Sequence, residues 1–377
     1  MKNYRPTAAS IRSVRLAGGM VLMAYVTGHL TNLAFGLVSL DLLDRVRIPL
    51  MAPWQSTPGQ VLLYGALASH LGLGLLAVAQ RRSVVSLNRS DAAQLALGLL
   101  IPVFLAWHVL RTRGSIVLGG EHATYAVLMI NYWKVTPFFG LLQVLGLVAA
   151  WVHGCLGLYG WLRLRRWWPV VAPFLYPVAF ALPILALLGF VEAGKQALAR
   201  FTGAGGDWPL QVRAALAKFA VLAPGLQVWR DRFLLGYAIA VIAACLIFAG
   251  QAIRYRGRTA RVIHAGGRQI AASRGLSLLE IDRQQGMPHA SLCSGRARCG
   301  TCRVRVLDGM ENLSPPGAAE TETLGRLHLC ASDVRLACQA ILIGRRVSIQ
   351  RLVPASAEEE EGRAPSEDRA ADAPVIS

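Results

Sequence analysis

We predict an all-α bundle of six membrane-spanning helices in residues 1–254, followed by a small α+β domain in residues 258–353. The composition supports the bundle, because 54% of the 377 residues are hydrophobic, 16% are charged and the mean hydropathy is +0.44. A chain this apolar is typical of a membrane protein. After residue 255 the pattern changes to short alternating stretches, which indicate strands. Residues 354–377, with the acidic run Glu358 to Glu361, have the composition of a disordered tail.

The six predicted spans are long apolar segments at about 16–38, 59–80, 92–110, 136–161, 170–191 and 233–252. Each is close to the roughly 20 residues that a helix needs to cross the hydrocarbon core. The fifth contains Pro173, Pro177 and Pro183, so we expect that helix to be kinked or broken. The connection at 191–232 contains the stretch WPLQVRAALAKFAVLAPGLQ, for which we predict an amphipathic helix lying on the outer surface.

Arginines follow the second, fourth and sixth segments, at Arg81, Arg82 and Arg89, at Arg163, Arg165 and Arg166, and at Arg254, Arg256, Arg258 and Arg261. Six spans put both ends of the chain on one side, and the positive-inside rule places that side in the cytoplasm. A net charge of +18 would suggest nucleic acid for a soluble protein. Here the arginines flank apolar segments, where anionic lipid headgroups explain them. We therefore expect membrane lipid, and no nucleic acid, among the partners.

Four histidines fall one per segment in the first four spans: His29, His70, His108 and His153. An ionisable side chain inside a membrane is costly and is a functional hypothesis by default. His29 lies 14 residues beyond Arg15 and His108 lies 3 residues before Arg111, so both belong to the outer half. His70 and His153 lie 11 and 10 residues before Arg81 and Arg163. At the helical rise this puts both roughly 15–17 Å above the cytoplasmic flank.

The histidines therefore form two sets at two depths, and in an up-down bundle the members of each set lie on diagonally opposed helices. This arrangement predicts two bis-histidine haems, one on His29 and His108 and one on His70 and His153. Two imidazoles leave no open iron position, so such haems carry electrons. For a single histidine, a neutral ring bonded to a carbonyl stays the alternative. Several glycines lie beside these histidines in the sequence. They would let the flat haem macrocycle approach the helix backbone, or they are the small residues usual where membrane helices pack together. They are Gly28, Gly72, Gly74, Gly154 and Gly157.

This histidine spacing resembles the dihaem cytochrome b anchors of succinate:quinone oxidoreductases, over roughly residues 14–165. The resemblance implies two b haems and exchange of electrons with quinone. Those anchors typically have five spans, so the last spans of this chain are unexplained by it. We expect a quinone near a haem and identify the stretch NYWKVTPFF, with Asn131, Tyr132, Trp133 and Lys134, as a candidate site. An interfacial aromatic belt is the alternative interpretation.

Cysteines mark the second domain, in the stretch LCSGRARCGTCRVRV. Cys293, Cys299 and Cys302 have C-x5-C-x2-C spacing, and Cys338 follows after 35 residues. Thiolates suit iron, and this spacing predicts a [2Fe–2S] centre in a reducing compartment. Zinc is the alternative metal, although zinc modules usually present two close cysteine pairs. We expect the stretches RVIHAGG and RQIAA to form a hairpin, SLLEIDRQQG a short helix, and CRVRVLDG and RVSIQRL later strands.

The cysteine spacing is similar to that of adrenodoxin-type ferredoxins, which implies a β-grasp fold and ligation by Cys293, Cys299, Cys302 and Cys338, with Cys330 outside the pattern. Adrenodoxin-type domains are generally acidic, whereas residues 258–353 hold 14 arginines against seven Asp and Glu. Four of the arginines crowd the cysteines: Arg296, Arg298, Arg303 and Arg305. Positive charge would raise the cluster potential and attract a negative partner or the membrane surface. A solvated basic face is the alternative.

A dihaem anchor and a ferredoxin domain on one chain resemble the membrane-bound, redox-regulated adenylate cyclases of bacteria. The resemblance implies a bacterial plasma-membrane protein, and we expect no cyclase because only 25 residues follow Leu352. Our first hypothesis is an electron-transfer protein that links the cluster through two haems to the quinone pool. The alternative is a quinone-responsive redox sensor without its own catalytic output, and the third is an inert anchor. A quinone-linked oxidoreductase activity stays open, as do the cytoplasmic donor and the signalling partner.

Overall fold

A computed structural model describes residues 8–120, 123–203, 206–255, 258–329 and 331–355. Cys330 and residues 356–377 of the expected tail lie outside the described residues. The described helices of the first, helical domain are α1 (Ala8–Ala34), α2 (Leu40–Gln55), α3 (Thr57–Ala79), α4 (Arg89–Val109), α5 (Ser115–Gly119), α6 (Tyr125–Ile130), α7 (Pro137–Leu162), α8 (Trp168–Thr202) and α9 (Asp207–Tyr255).

Six helical segments are long and apolar enough to cross a membrane: Ile11–Leu37, Thr57–Ala79, Arg89–Gly119, Pro137–Leu162, Trp168–Thr202 and Asp207–Arg254. Between 6% and 22% of their apolar windows is buried inside the protein. Large apolar side chains such as Phe174 and Phe180, each 73% exposed, therefore cover the outside of the bundle. Such a surface is compatible with a multi-pass membrane protein, and the prediction of six long apolar helices is confirmed.

The fifth span is one unbroken helix, α8, so of the two outcomes expected from its prolines, a kinked or a broken helix, the break is excluded. Pro183 lacks an N–H, so the carbonyl of Ala179, four residues earlier, has no partner within α8. The indole Nε1 of Trp151 on α7 donates a hydrogen bond to that carbonyl at 2.8 Å. A neighbouring helix thus satisfies the freed backbone group, which is how membrane helices tolerate proline.

The amphipathic helix expected at the outer surface is instead the first part of α9, which runs unbroken for 49 residues. Val212, Phe219 and Leu226 recur every seventh residue, lie on one face and are buried. Phe219 lies against the guanidinium of Arg111, and Val212 and Phe219 belong to the same buried cluster as the residues of α6. The apolar stripe therefore contacts the bundle. The long connection expected at 191–232 is absent, because α8 ends at Thr202 and α9 begins at Asp207.

The histidine-bearing helices form the centre of the helical domain, where α1 packs along α3 and α4 packs along α7. Asn88 begins α4 by accepting a hydrogen bond from the N–H of Asp91 at 2.7 Å. The buried residues of α6 close one end of the bundle. There the hydroxyl of Tyr125 accepts a hydrogen bond from Asn32 at 2.9 Å. The α1–α3 pair and the α4–α7 pair are joined by contacts between α1 and α7.

The second, cluster domain contains β1 (Thr259–His264), β2 (Gln269–Ser273), α10 (Leu278–Gln284), β3 (Arg303–Asp308), α11 (Ala318–Arg326), β4 (Val334–Leu336) and β5 (Arg346–Arg351). The strand order is β2-β1-β5-β3-β4, with β1 parallel to β5 and the other pairs antiparallel. This is a β-grasp sheet, and the predicted hairpin, short helix and later strands are confirmed. The sequence did not indicate α11, which is polar, or β4, which has three residues.

The cluster domain sits on the end of the helical domain that carries Arg82 and Arg163. Arg82 donates to the carbonyl of Gly275 at 3.0 Å, and Gln284 donates to the hydroxyl of Ser83 at 3.0 Å. The loop at 285–302 between α10 and β3, here called the cluster loop, contacts the ends of α4 and α7. The domain that holds the cysteines is therefore fixed directly against the helices that hold the histidines.

Candidate functional site

Four cysteine side chains meet as two pairs at the tip of the cluster domain. Cys293 and Cys299 are hydrogen-bonded to each other, as are Cys302 and Cys338. The first three are 1% exposed and Cys338 is half-buried. Among the described residues, no three His, Cys, Asp or Glu side chains are arranged to hold a single ion. Two thiol pairs fit a centre with two irons better than one tetrahedral zinc ion.

The cluster loop turns backbone N–H groups toward the sulfurs. The N–H groups of Cys293 and Arg298 donate to Cys299 Sγ at 3.4 Å and to Cys293 Sγ at 3.5 Å. The loop reaches this geometry through left-handed backbone conformations at Gly295 and Gly300, with φ of 83° and 72°. The hydrogen bond with Cys299, aided by backbone N–H groups, lowers the pKa of Cys293 although burial raises it. The cluster loop therefore directs a backbone donor to each sulfur of this pair.

The four arginines near the cysteines differ in their surroundings. Arg303 is 2% exposed and lies beneath the loop. Arg296 crosses to the helical domain, where its guanidinium donates to Asp91 at 2.6 Å and to the side-chain carbonyl of Gln94 at 3.3 Å. Arg305 pairs with Asp333 at 3.1 Å on the surface. Arg296 and Arg305 thus each pair with a carboxylate, and the Arg296 pair joins the domains.

A buried carboxylate joins two imidazoles behind the cluster loop, an arrangement that the sequence did not indicate. Asp282 on α10 accepts from Nε2 of His264 on β1 at 3.0 Å and from Nδ1 of His289 in the cluster loop at 2.6 Å. Burial raises the pKa of Asp282, but the two hydrogen bonds lower it by more, so it lies below its usual value. The carboxylate is ionised and both rings donate to it. The other ring nitrogens, His264 Nδ1 and His289 Nε2, are buried and have no hydrogen-bond partner in the part of the chain that the structure describes.

The four membrane histidines lie next to each other in the two predicted sets. The ring centres of His29 on α1 and His108 on α4 are 6.0 Å apart, with 58° between the ring planes. Those of His70 on α3 and His153 on α7 are 6.1 Å apart and nearly perpendicular, at 88°. Each set joins two different helices at one depth. The second set lies at the end of the bundle that faces the cluster domain.

His70 and His153 are held by matching contacts. Nδ1 of His70 donates to the carbonyl of Arg15 on α1 at 2.9 Å, and Nδ1 of His153 donates to the carbonyl of Gln94 on α4 at 2.8 Å. A glycine follows four residues after each acceptor. A Cβ atom at Gly19 would lie 3.0 Å from Cε1 of His70, and one at Gly98 would lie 2.8 Å from Cε1 of His153. Both glycines therefore make room for the rings.

Gly19 and Gly98 are not among the glycines that we expected to matter, because those were chosen as chain neighbours of the ligands. Gly72 and Gly74 face open space: apart from the backbone of their own helix, no heavy atom of the described residues lies within 4 Å of a Cβ at either position. Gly28 and Gly154 lie against methionine side chains. The glycines that make room for the histidine rings lie on neighbouring helices. The sequence alone does not show which helix packs against which histidine.

The stretch expected to hold a quinone lies at the far end of the bundle, near His108. Asn131 accepts a hydrogen bond from Arg111 at 2.8 Å, and the hydroxyl of Tyr132 is 3.5 Å from Nδ1 of His108. Asn131 and Tyr132 are 2% and 5% exposed, so neither belongs to an exposed aromatic belt. Trp133 packs on Phe190. These side chains support the bundle beside the first histidine pair.

A β-grasp sheet with two thiol pairs at its tip defines an iron–sulfur domain of the ferredoxin class. Residues 262–342 match the family described as 2Fe-2S iron-sulfur cluster binding domain. The chain is 33% identical over 69 residues to "2Fe-2S ferredoxin-5" of Aquifex aeolicus, which is 18% of this chain and 72% of that protein. It is 30% identical over 76 residues, or 20% of this chain and 67% of the relative, to "2Fe-2S ferredoxin" of Haemophilus influenzae. The chain therefore belongs, by its C-terminal domain, to the 2Fe-2S ferredoxin family.

A larger relative shares the same domain. The chain is 37% identical over 83 residues to "Naphthalene 1,2-dioxygenase system ferredoxin--NAD(P)(+), reductase component" of Pseudomonas putida, which is 22% of this chain and 23% of that protein. No solved structure matches the chain. The family match includes all four cysteines of the two thiol pairs and ends within the cluster domain. The domain suggests electron transfer, and the apolar helices suggest a membrane anchor for it.

Proposed function

We propose that this protein is a membrane electron carrier that links its [2Fe–2S] cluster, through two b-type haems, to the quinone pool. Cys293, Cys299, Cys302 and Cys338 would hold the cluster. One haem would lie between His29 and His108 and the other between His70 and His153. When bound, the cluster and the haems would each supply one-electron transfer, and the histidines of each pair would hold one haem.

The spacing of the imidazole rings is the observation that carries the haem proposal. Metal–nitrogen distances of about 2 Å on each side, with about 1.1 Å from each nitrogen to its ring centre, put two axial rings about 6 Å apart. The two histidine pairs have ring centres 6.0 and 6.1 Å apart. Four histidines on four helices therefore fit two axial pairs, which the inert-anchor hypothesis leaves unexplained.

The hydrogen bonds of the His70 and His153 rings support the same assignment. Each Nδ1–H donates to a backbone carbonyl, at 2.9 and 2.8 Å, so the lone pair of each ring is on Nε2. Metal-bound histidines generally donate their other ring N–H in this way, which fixes the tautomer and the ring orientation. The carbonyls of Arg15 and Gln94 thus orient the two rings, and Gly19 and Gly98 leave space for them.

The contact between the domains supports transfer between the cluster and the His70/His153 pair. Arg296 stands in the cluster loop between Cys293 and Cys299 and donates to the side chain of Gln94. The backbone carbonyl of the same glutamine accepts from His153. The cluster loop also packs Leu292, Cys293 and Cys299 against Leu164 just beyond α7. These contacts hold the two proposed carriers near each other.

Arginine placement supports the orientation of the protein in a bacterial plasma membrane. Arg82, Arg89 and Arg163 lie at the end of the bundle that contacts the cluster domain. The positive-inside rule puts that end, the cluster domain and both termini in the cytoplasm. Reduced thiols are the normal state there, as an iron–sulfur centre requires.

A reduced-minus-oxidised optical spectrum, with iron and haem measured on the purified full chain, tests this function. We expect two haems and one [2Fe–2S] cluster per chain, which corresponds to four irons. Purified protein with a full cluster and no haem would contradict the link to quinone and leave a membrane-anchored ferredoxin.

A further inference from the structure

Five arginines converge where the cluster loop meets the helical domain. Arg15 on α1 is close enough to the other four for their charges to act on it: Arg12, Arg81, Arg296 and Arg298. Arg81 and Arg296 also act on each other. These five residues are here called the arginine cluster. Like charges at short range repel each other, so such a group is costly unless negative charge offsets it.

Carboxylates of the protein offset only part of this charge. Asp91 pairs with Arg296 at 2.6 Å and also attracts Arg81. Glu280 attracts Arg81 too, but its carboxylate already accepts hydrogen bonds at the start of α10. Among the described residues, no carboxylate is within ion-pair distance of Arg15 or Arg81. The five positive charges thus meet two negative ones, and the excess favours a further anion.

Arg15 is available to such an anion. Its side chain is half-buried, and in the part of the chain that the structure describes it donates no hydrogen bond. Its nitrogens are not among the side-chain atoms that are both sealed from solvent and without a partner, so a ligand can reach them. A guanidinium presents N–H donors in a rigid fork that matches the two oxygens of a carboxylate. Arg15 is therefore suited to a carboxylate ligand.

The arginine cluster lies beside the His70/His153 pair, on the side of the cluster domain. The backbone carbonyl of Arg15 accepts the hydrogen bond from His70. On the opposite side, Arg296 donates to the side chain of Gln94, whose backbone carbonyl accepts from His153. Each residue that orients an imidazole of this pair is thus itself an arginine or is bonded to one.

The haem that we propose between His70 and His153 supplies an anion of the right kind. A b-type haem carries two propionate groups, both carboxylates, on one edge of its ring. The histidines already hold that haem, so its carboxylates reach the arginine cluster without a separate association step and the entropy loss that goes with it. A lipid phosphate or a free phosphate has to associate separately. The propionates therefore suit the arginine cluster better.

We propose that Arg15, with Arg81 beside it, binds the propionates of the haem between His70 and His153, which directs the propionate edge of that haem toward the cluster loop. The inference rests on the proposed function for the presence of the haem. It gives Arg15 two roles, because its backbone carbonyl orients His70 and its guanidinium holds the propionates. It also assigns a ligand to positive charge that the protein's own carboxylates leave unpaired.

Optically monitored redox titration of the full chain in detergent micelles tests the role of Arg15. Arg15→Gln removes one positive charge and keeps the backbone carbonyl that accepts from His70. At mildly alkaline pH, where propionates stay ionised, we expect the potential of the His70/His153 haem to fall, because positive charge stabilises the added electron. The other haem should keep its potential, and Arg15→Lys should restore most of the shift. Arg254→Gln, at an exposed arginine of α9, is the matched control.

Infrared difference spectra separate direct pairing from a general effect of charge. The full chain is produced with haem that is isotope-labelled at its propionate carboxyl carbons, and spectra of the reduced and oxidised protein are subtracted. We expect the labelled carboxylate bands to shift in Arg15→Gln and to match the native bands in Arg254→Gln. Identical labelled bands and identical potentials in native and Arg15→Gln protein would overturn this inference and leave the proposed function intact.

Two further outcomes are distinguished on the same samples. Selective loss of the His70/His153 haem in Arg15→Gln, with its retention in Arg15→Lys and an intact paramagnetic signal of the reduced cluster, supports the pairing. A haem potential that changes when inorganic phosphate or anionic lipid is added to native protein, and not to Arg15→Gln, would show that the arginines hold a phosphate instead. Native protein without haem contradicts the proposed function and this inference together.

Discussion

Arg296 of the cluster loop and His153 of the helical domain are joined through one residue, Gln94. The guanidinium donates to the side-chain carbonyl of Gln94 at 3.3 Å, and the imidazole donates to its backbone carbonyl at 2.8 Å. Arg296 also pairs with Asp91, one helical turn earlier, at 2.6 Å. The position of the cluster loop and the orientation of His153 therefore depend on the same turn of α4.

Replacement of Arg296 should slow electron transfer between the cluster and the His70/His153 haem. Arg296→Gln removes the ion pair with Asp91, so the cluster loop is held less closely to α4. We expect the rate to fall by about tenfold or more, because small displacements of reacting centres cost large factors in rate. Stopped-flow absorbance after chemical reduction of the cluster measures it. Arg305→Gln, which removes the exposed pair with Asp333, is the matched control, and equal rates in both variants would contradict the prediction.

Loss of either histidine of a pair should remove the same haem. His70→Ala and His153→Ala should each abolish the haem nearer the cluster domain and keep the other, because each iron would lose one axial ligand. His29→Ala and His108→Ala should do the reverse. Pyridine haemochrome assays and optical spectra measure the content. An unchanged haem content in all four variants would exclude the assignment, and His328→Ala in the cluster domain serves as the control.

A methyl group added at Gly98, on the helix that packs against His153, should also reduce the content of the His70/His153 haem. Gly98→Ala would place Cβ 2.8 Å from Cε1 of His153, closer than side chains normally approach, so the ring must move away from its axial position. We expect the content of the His70/His153 haem to fall by at least about half, with the other haem retained. Gly72→Ala is the control, since a Cβ there, apart from the backbone of its own helix, meets no heavy atom of the described residues within 4 Å. Equal haem spectra for the two variants would show that the close approach at Gly98 is unimportant.

The sequence predicted the helices and the ferredoxin strands because their signals are local. A run of about 20 apolar residues can satisfy its backbone in a membrane only as a helix. The spacing of Cys293, Cys299 and Cys302 within one loop indicates the cluster for the same reason. The depths of the histidines also followed from local information, namely their distances from flanking arginines.

The contacts that join the domains were not predictable in this way, because they connect distant parts of the chain. Arg296 and Asp91 are separated by 205 positions, and neither has an unusual neighbourhood in the sequence. His289 and His264 come together only because α10 places Asp282 between them. The unbroken course of α8 depends likewise on a donor from another helix, Trp151.

The four cysteines of the two pairs should each be required for the cluster. Cys338→Ser should abolish the electron paramagnetic resonance signal of the reduced [2Fe–2S] centre, because Cys338 completes the pair with Cys302. Cys330→Ser should leave that signal intact, since its spacing falls outside the ligand pattern. Iron and acid-labile sulfide are measured on the same samples. Loss of the signal in Cys330→Ser with retention in Cys338→Ser would identify Cys330 as the fourth ligand instead.

The direction of electron flow should run from the cluster to quinone. Plant-type [2Fe–2S] centres have potentials of about −400 mV, and although nearby arginines raise that value, quinones accept electrons at higher potentials. Rapid mixing of the chemically reduced protein with an oxidised short-chain quinone should therefore reoxidise the cluster. Mixing of the oxidised protein with the corresponding quinol should reduce haem and leave the cluster oxidised. Optical spectra follow the haems, and freeze-quenched paramagnetic resonance follows the cluster. Reduction of the cluster by quinol would reverse the assigned direction, whereas a reduced cluster that passes no electron to haem or quinone would favour the redox sensor over the electron carrier.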